Sequence, residues 1–187
     1  MHPSSPYDPI PKVSLTATLG SAAALLVLAV MLSVAVYVEL RERRIPNWLT
    51  LSGMALGLLI SYSNGSAAFR MSLAGLAVGF GFLFIFYVFG GLGGGDVKLM
   101  GAVGALMRLD LVKSALFYTT FFGAFLAVLI LVWRRDFWLR AGQFVRQIAF
   151  WKKRAPEEAI KLPPVTVPYG VAIAVGCLLA LLTNRGG

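Results

Sequence analysis

The chain has 187 residues, of which 58% are hydrophobic and 13% are charged, and its mean hydropathy is +0.79. This composition excludes an ordinary soluble domain and indicates an integral membrane protein. The net charge of +9 lies on Lys and Arg residues between apolar runs rather than in a separate basic domain. We therefore expect no nucleic-acid partner.

The first 16 residues form a polar leader without a basic segment, so the apolar run after it is predicted to be a retained span rather than a cleaved signal. The only histidine, His2, lies in the leader. The only cysteine, Cys177, lies far from it in an apolar run. A zinc cluster, a Cys/His catalytic pair and an internal disulfide are therefore excluded, and we expect no metal and no cofactor. Cys177 is predicted to be a small buried hydrophobe.

Six apolar windows follow in chain order, and a helix needs about 20 mostly apolar residues to cross a bilayer. The fourth window is short and directly follows a glycine-rich stretch, so a re-entrant helix is the alternative to a span there. We predict an all-α polytopic membrane domain over residues 17–187 with six transmembrane helices. The windows are Ala17–Val38, Trp48–Tyr62, Met71–Gly90, Val97–Met107, Ser114–Trp133 and Val165–Thr183.

The basic residues give these six spans an orientation. Arg41, Arg43 and Arg44 follow the first window, Lys98 follows the third, and the fifth connection is strongly basic. Placing the first, third and fifth connections in the cytoplasm satisfies the positive-inside bias and puts both termini outside. Five crossings would break this agreement.

The fifth connection, residues 134–164, is predicted to contain a basic amphipathic helix. Its apolar residues recur at spacings of four, three, four and three, with the basic residues largely off this stripe. Such a helix is typical of a segment lying on anionic headgroups, so membrane lipids are expected partners. A surface anchor is favoured over an element that reads a substrate. The stripe consists of Phe137, Ala141, Phe144, Ile148 and Trp151.

Two of the eight acids, Glu39 and Asp96, lie at junctions between an apolar window and a cytoplasmic connection. The predicted topology puts both at the same membrane face, where they can meet. Two carboxyl groups in contact tend to share a proton, which leaves one as a general base and the other as a general acid. Ion pairing with Arg41, Arg43 or Lys98 explains the same acids equally well without catalysis.

Asp96 follows three glycines, Gly93, Gly94 and Gly95, in the segment "GGLGGGDVKLMGAVG". Consecutive glycines disfavour a regular helix and allow positive φ angles and a close approach of another backbone. Irregular backbone at membrane depth must be buried in protein or line a wet cavity, and a peptide substrate needs such a cavity. Close packing of helices on small residues is the alternative. A phosphate loop is not indicated, because no "GKS/T" follows the glycines.

The segment "RRIPNWLT" is explained by local structure alone. Pro46 ends the basic connection, Asn47 is predicted to be the N-cap of the second helix, and Trp48 suits the membrane interface.

Three motifs in this order resemble those of the type IV prepilin peptidase family, the GxGD aspartic peptidases. In chain order, "ELRERRIPNWLT" is similar to the segment of the first catalytic aspartate, "GGGDVKLMGAVG" resembles the GxGD segment, and "VPYGVAIAVG" is similar to the last helix. The order, six spans and short length resemble the minimal TadV/CpaA-like subgroup that serves Flp-type, or tight adherence, pili.

The resemblance implies an endopeptidase of the bacterial inner membrane that cleaves the basic leader of a prepilin after a glycine, at the cytoplasmic face. The catalytic pair would be Asp96 and Glu39, with Gly93, Gly94, Gly95 and Lys98 shaping the site. The family uses two aspartates and no metal. Larger relatives also N-methylate the product through a domain with paired CxxC motifs, which this sequence lacks, so methyltransferase activity is not expected.

Glu39 departs from the family pattern, which has aspartate seven residues before the proline of "RRIPN". The added methylene leaves three explanations open: a working natural variant, a paralogue or engineered form with little activity, or a site whose backbone has adjusted. A weak or inactive paralogue would act as a pilus or secretion assembly factor. A small transporter with a broken helix is a further alternative that no internal repeat supports.

Overall fold

The computed structural model describes residues 22–89, 92–133 and 168–184. Within these ranges the chain forms five helices and no strand, as the predicted all-α class requires. The predicted leader (1–16) and amphipathic helix (134–164) lie outside the described residues. The helices are α1 (Ala22–Glu42), α2 (Asn47–Ser63), α3 (Ser66–Val88), α4 (Gly94–Trp133) and α5 (Tyr169–Thr183).

Three segments of the described chain are long and apolar enough to cross a membrane, namely Ala22–Glu42, Ser66–Val88 and Gly94–Ile130. α5 is a shorter apolar helix. The protein is therefore an all-helical membrane protein, and the six crossings remain a prediction.

The helix boundaries differ from the predicted windows where polar residues continue a helix. α1 extends to Glu42, beyond the predicted end at Val38, so Glu39 lies in its last turn. α3 begins at Ser66, because the turn after α2 is only Asn64 and Gly65, and Gly65 adopts a φ of 105°. A φ of this size is accessible to glycine at little cost.

The predicted windows leave residues 108–113 between the fourth and fifth spans, and in the structure the helical backbone breaks within this gap at one residue only. Helical backbone continues on both sides of Arg108, which alone leaves the helical region with φ 59° and ψ 177°. In a straight helix Asp96 and Gly123 would lie roughly 40 Å apart, given a rise of about 1.5 Å per residue. Instead, both residues lie near Tyr169. A Cβ placed at Gly123 would be 2.7 Å from the Tyr169 ring, and Asp96 interacts electrostatically with Tyr169. The chain of α4 therefore folds back at Arg108.

The first half of α4, residues 94–107, is the centre of the fold. Its apolar side chains from Val97 to Met107 are buried. Small residues on neighbouring helices allow this enclosure: Ser72 of α3 donates a hydrogen bond to the Ala105 carbonyl at 2.5 Å, and Gly75 lies against the backbone of Gly104. Close backbone approach through small residues is typical of helix packing in membranes.

Large apolar side chains cover the outside of the described helices. Leu26, Leu59, Phe89 and Phe121 are all more than 60% exposed. Such a surface is an aggregation hazard in water and is the expected surface of a protein in hydrocarbon. The polar chemistry is therefore confined to helix ends and the interior.

Candidate active site

Glu39 lies in the last turn of α1, against the first turn of α5. The backbone N–H of Gly170 donates to Glu39 Oε1 at 3.1 Å, and the N–H groups of Tyr169 and Val171 also act on this carboxyl group. The first N–H groups of a helix have no partner within the helix and carry a partial positive charge. They therefore hold Glu39 in the last turn of α1, although it is only 7% exposed.

Asp96 is held by the start of its own helix. The Gly93 carbonyl accepts the first hydrogen bonds of α4, from the N–H groups of Asp96 and Val97 at 3.1 and 3.5 Å. The Asp96 side chain reaches back and accepts a hydrogen bond from Gly93 N at 3.1 Å through Oδ2. The side-chain hydrogen bond is one half of a capping box, with aspartate in place of the usual Glu or Gln. The other half is missing because glycine at position 93 has no side chain, but the bond accounts for the orientation of Asp96.

The structure brings the two acids together. Asp96 is 8% exposed and interacts electrostatically with Glu39, and the Tyr169 hydroxyl lies within the electrostatic range of Asp96. In the part of the chain that the structure describes, the ion pairs are Arg44 with Glu42 and Lys113 with Asp110. Ion pairing, the alternative explanation of the two acids, is thus not supported for Glu39 or Asp96 within the described residues.

Each acid has one oxygen anchored to backbone and one oxygen without a hydrogen-bond partner among the described residues. Glu39 Oε2 is buried and has no hydrogen-bond partner among the described residues. Asp96 receives no hydrogen bond there beyond that of Gly93 at Oδ2. Two adjacent carboxyl groups with unanchored oxygens can share a proton and activate a water molecule. The described residues contain no cluster of three or more His, Cys, Asp or Glu side chains that could hold a metal ion.

The expectation of irregular backbone at the three glycines is wrong. α4 begins at Gly94 and continues through Gly95, and none of the three adopts a positive φ. Two of the glycines instead avoid steric crowding. A Cβ at Gly95 would lie 3.0 Å from Ile45 Cβ, and a Cβ at Gly93 would lie 3.0 Å from Asp96 Oδ2. Gly94 has only the Tyr87 ring nearby, at 3.6 Å.

Lys98 does not pair with Asp96. Its Nζ donates to Asn47 Oδ1 at 2.9 Å, which ties the second turn of α4 to the first residue of α2. The prediction that Asn47 is the N-cap of α2 is wrong. Pro46 occupies the N-cap position, and Asn47 is the first helical residue. Lys98 therefore supports the geometry near the two acids without neutralising either of them.

The sequence prediction missed Gly170 as part of this site. The contact joins residues 131 positions apart, and no local pattern encodes such a distance. One signal was present: the first turn of α5 follows Pro168 and contains no acid of its own. Its free N–H groups can therefore serve an acid from elsewhere.

One of three comparisons with known proteins finds a match. A model described as the type IV leader peptidase family matches residues 26–130, a range that includes Glu39 and Asp96 and ends before α5. No curated protein and no solved structure matches the chain. Because the matched range covers more than half of the chain, this protein belongs to the type IV leader peptidase family, a family of proteases.

Proposed function

We propose that this protein is a membrane aspartic endopeptidase that removes the leader peptide of Flp-type prepilins at the cytoplasmic face, with Glu39 and Asp96 as the catalytic pair. One observation carries the proposal: two nearly buried carboxyl groups from different helices interact with each other, and each is held by a backbone N–H. Acids that only stabilised the fold would be expected to have basic partners at this depth.

The pair would act with one shared proton. The ionised carboxylate takes a proton from water as the water oxygen attacks the carbonyl carbon of the scissile peptide bond, and the protonated carboxyl donates its proton to the carbonyl oxygen. Collapse of the tetrahedral intermediate breaks the C–N bond, and the amine leaves with a proton returned by the pair. No metal is required for this sequence of steps.

The anchored oxygens give the pair a fixed geometry. Gly170 N holds Oε1 of Glu39 and Gly93 N holds Oδ2 of Asp96, so in the proposed mechanism the remaining oxygens are the ones that exchange protons. Fixed positions matter because a displacement of about 1 Å can reduce the rate by about a hundredfold. Gly93, Gly95 and Lys98 would shape the site through the contacts described above.

The substrate class rests on the family and on the resemblance of the motifs to the TadV/CpaA-like subgroup. The sequence contains a single cysteine, so it cannot form paired CxxC motifs, and we propose no methyltransferase activity. Glu39 in place of aspartate is the observation that favours the second candidate, a non-catalytic assembly factor that holds prepilin in the same place.

The experiment that tests the proposal is the substitution Asp96→Asn. The asparagine side chain can still accept the hydrogen bond from Gly93 through its carbonyl oxygen, but it cannot exchange a proton. Loss of general acid–base catalysis costs about 10²–10⁴ in rate. We expect the full-length variant to accumulate in membranes while cleavage of a co-expressed Flp-type prepilin is abolished.

Asp110→Asn is the matched control, because Asp110 is exposed and forms a salt bridge with Lys113 at 4.0 Å, and it should leave cleavage unchanged. Undiminished cleavage by Asp96→Asn would refute the catalytic assignment. Absence of cleavage by the wild type, together with co-purification of uncleaved prepilin, would favour the assembly factor.

A further inference from the structure

We infer that Gly170 is a positioning residue for Glu39, and that the missing side chain at position 170 is what leaves room for a glutamate there. The inference rests on the proposed function insofar as Glu39 is catalytic. It adds a residue that lies beyond the range matched by the family, and it addresses the one departure of this sequence from the family pattern.

The nearest contacts of Gly170 among the described residues are with Glu39. A Cβ placed on Gly170 would lie 2.6 Å from Glu39 Oε2, 3.1 Å from Cδ and 3.5 Å from Oε1, and these are its three nearest atoms. The Gly170 N–H also donates to Oε1. Gly170 therefore holds the carboxyl group through its backbone and makes space for it by having no side chain.

Backbone conformation does not explain the glycine. Gly170 is the second residue of α5, and the described chain has a positive φ at only one glycine, Gly65. Alanine is the better helix former by about 1 kcal/mol. Helix propensity alone would thus favour alanine at this position, and the Glu39 carboxyl group is the obstacle.

The obstacle is the end of a flexible side chain, so the fold can accept a methyl group while the carboxyl moves. An ordinary contact begins near 3.4 Å, so Oε2 would have to retreat by roughly 0.8 Å. A displacement of about 1 Å costs a catalytic group about a hundredfold in rate. Gly170→Ala should therefore give a folded protein with a misplaced acid.

An aspartate at position 39 would remove the conflict, because its carboxyl group is withdrawn by one methylene. The effect of Gly170→Ala should thus depend on which acid occupies position 39. A purely structural glycine would show no such dependence, and this difference separates positioning from packing.

Gly176 is the matched control on the same helix. A Cβ there would contact the Thr119 side chain and lie 2.7 Å from Thr119 N, with no atom of Glu39 among its nearest neighbours. Gly176→Ala should lower stability through backbone crowding. Its effect should be the same whether position 39 holds glutamate or aspartate.

The experiment is a pair of double-mutant cycles with full-length protein purified in detergent. Gly170→Ala and Gly176→Ala are each combined with Glu39→Asp, and kcat and KM are measured for cleavage of a purified Flp-type prepilin. Thermal unfolding midpoints are recorded for every variant. We expect Gly170→Ala to lower kcat by about a hundredfold in the wild-type background and at least tenfold less in the Glu39→Asp background, at little change in KM. The Gly176 cycle should be additive within about twofold.

Equal losses of kcat from Gly170→Ala in both backgrounds, or no loss in the wild-type background, would overturn the inference. If no variant cleaves prepilin, the proposed peptidase function fails, and the unfolding midpoints still test the contact. In that case Gly170→Ala must lower the midpoint more in the wild-type background than in the Glu39→Asp background, and equal shifts would overturn the positioning role as well.

Discussion

Glu39→Asp tests how far this site depends on the longer acid. The substitution removes one methylene, which withdraws the carboxyl group by about 1.5 Å, the length of one C–C bond. Glu39 Oε1 now lies 3.1 Å from Gly170 N, and most of that withdrawal would take it beyond hydrogen-bond distance. The first turn of α5 would then no longer hold the acid.

Two effects set the size of the expected loss in kcat for Glu39→Asp. A hydrogen bond to a charged group contributes about 1.5–3 kcal/mol, and a displacement of about 1 Å costs about a hundredfold in rate. Backbone adjustment recovers part of this loss. We expect kcat for prepilin cleavage to fall by roughly tenfold to a hundredfold, with little change in KM, because the substitution moves a reacting group and not a binding surface.

The assay is cleavage of purified prepilin by full-length enzyme in detergent, followed by gel shift over time. Glu42→Asp is the matched control: it makes the same change on the same helix, at an exposed residue whose carboxylate contacts only Arg44, at 3.3 Å. Wild-type or higher activity of Glu39→Asp would refute the reasoning, because it would mean that Gly170 does not set the position of the acid.

Two further predictions concern the fold. Gly75→Ala should lower the unfolding midpoint by an amount equivalent to about 1–3 kcal/mol, because its Cβ would meet the Gly104 carbonyl and lie 2.7 Å from the Arg108 carbonyl carbon, whereas Gly81→Ala, with open space around it, should not. Cys177 is fully buried, so a membrane-permeant maleimide should label it only after denaturation; fast labelling of the folded protein would contradict the packing of α5.

The sequence predicts the parts of this protein that depend on composition and charge. Apolar windows locate the helices to within a few residues, and the positive-inside bias places Glu39 and Asp96 at one end of the bundle. Hydropathy and the positive-inside bias are both sums over single residues, so a sequence without a structure contains them. The structure brings these two acids into electrostatic range.

Contacts between distant helices could not be predicted in the same way. Lys98 was a candidate ion-pair partner of the two acids, and it instead donates to Asn47. Gly95 disfavours a helix by propensity, yet it lies in α4, at a position where a Cβ would be 3.0 Å from Ile45 Cβ. Tertiary packing overrides local preference at such positions, and a single sequence does not record which surfaces meet.

The hydrogen bond from Gly170 to Glu39 also sets an order of events during synthesis. The donor leaves the ribosome 131 residues after the acceptor, a delay on the order of ten seconds at typical translation rates. Until α5 has entered the membrane and docked, Glu39 lacks the helix end that orients it. The hydrogen bond that Asp96 accepts from Gly93 is local and needs no later helix, whereas the one that Glu39 accepts waits for α5. Under the proposed function, the catalytic pair would therefore be complete only after the chain has been synthesised through α5.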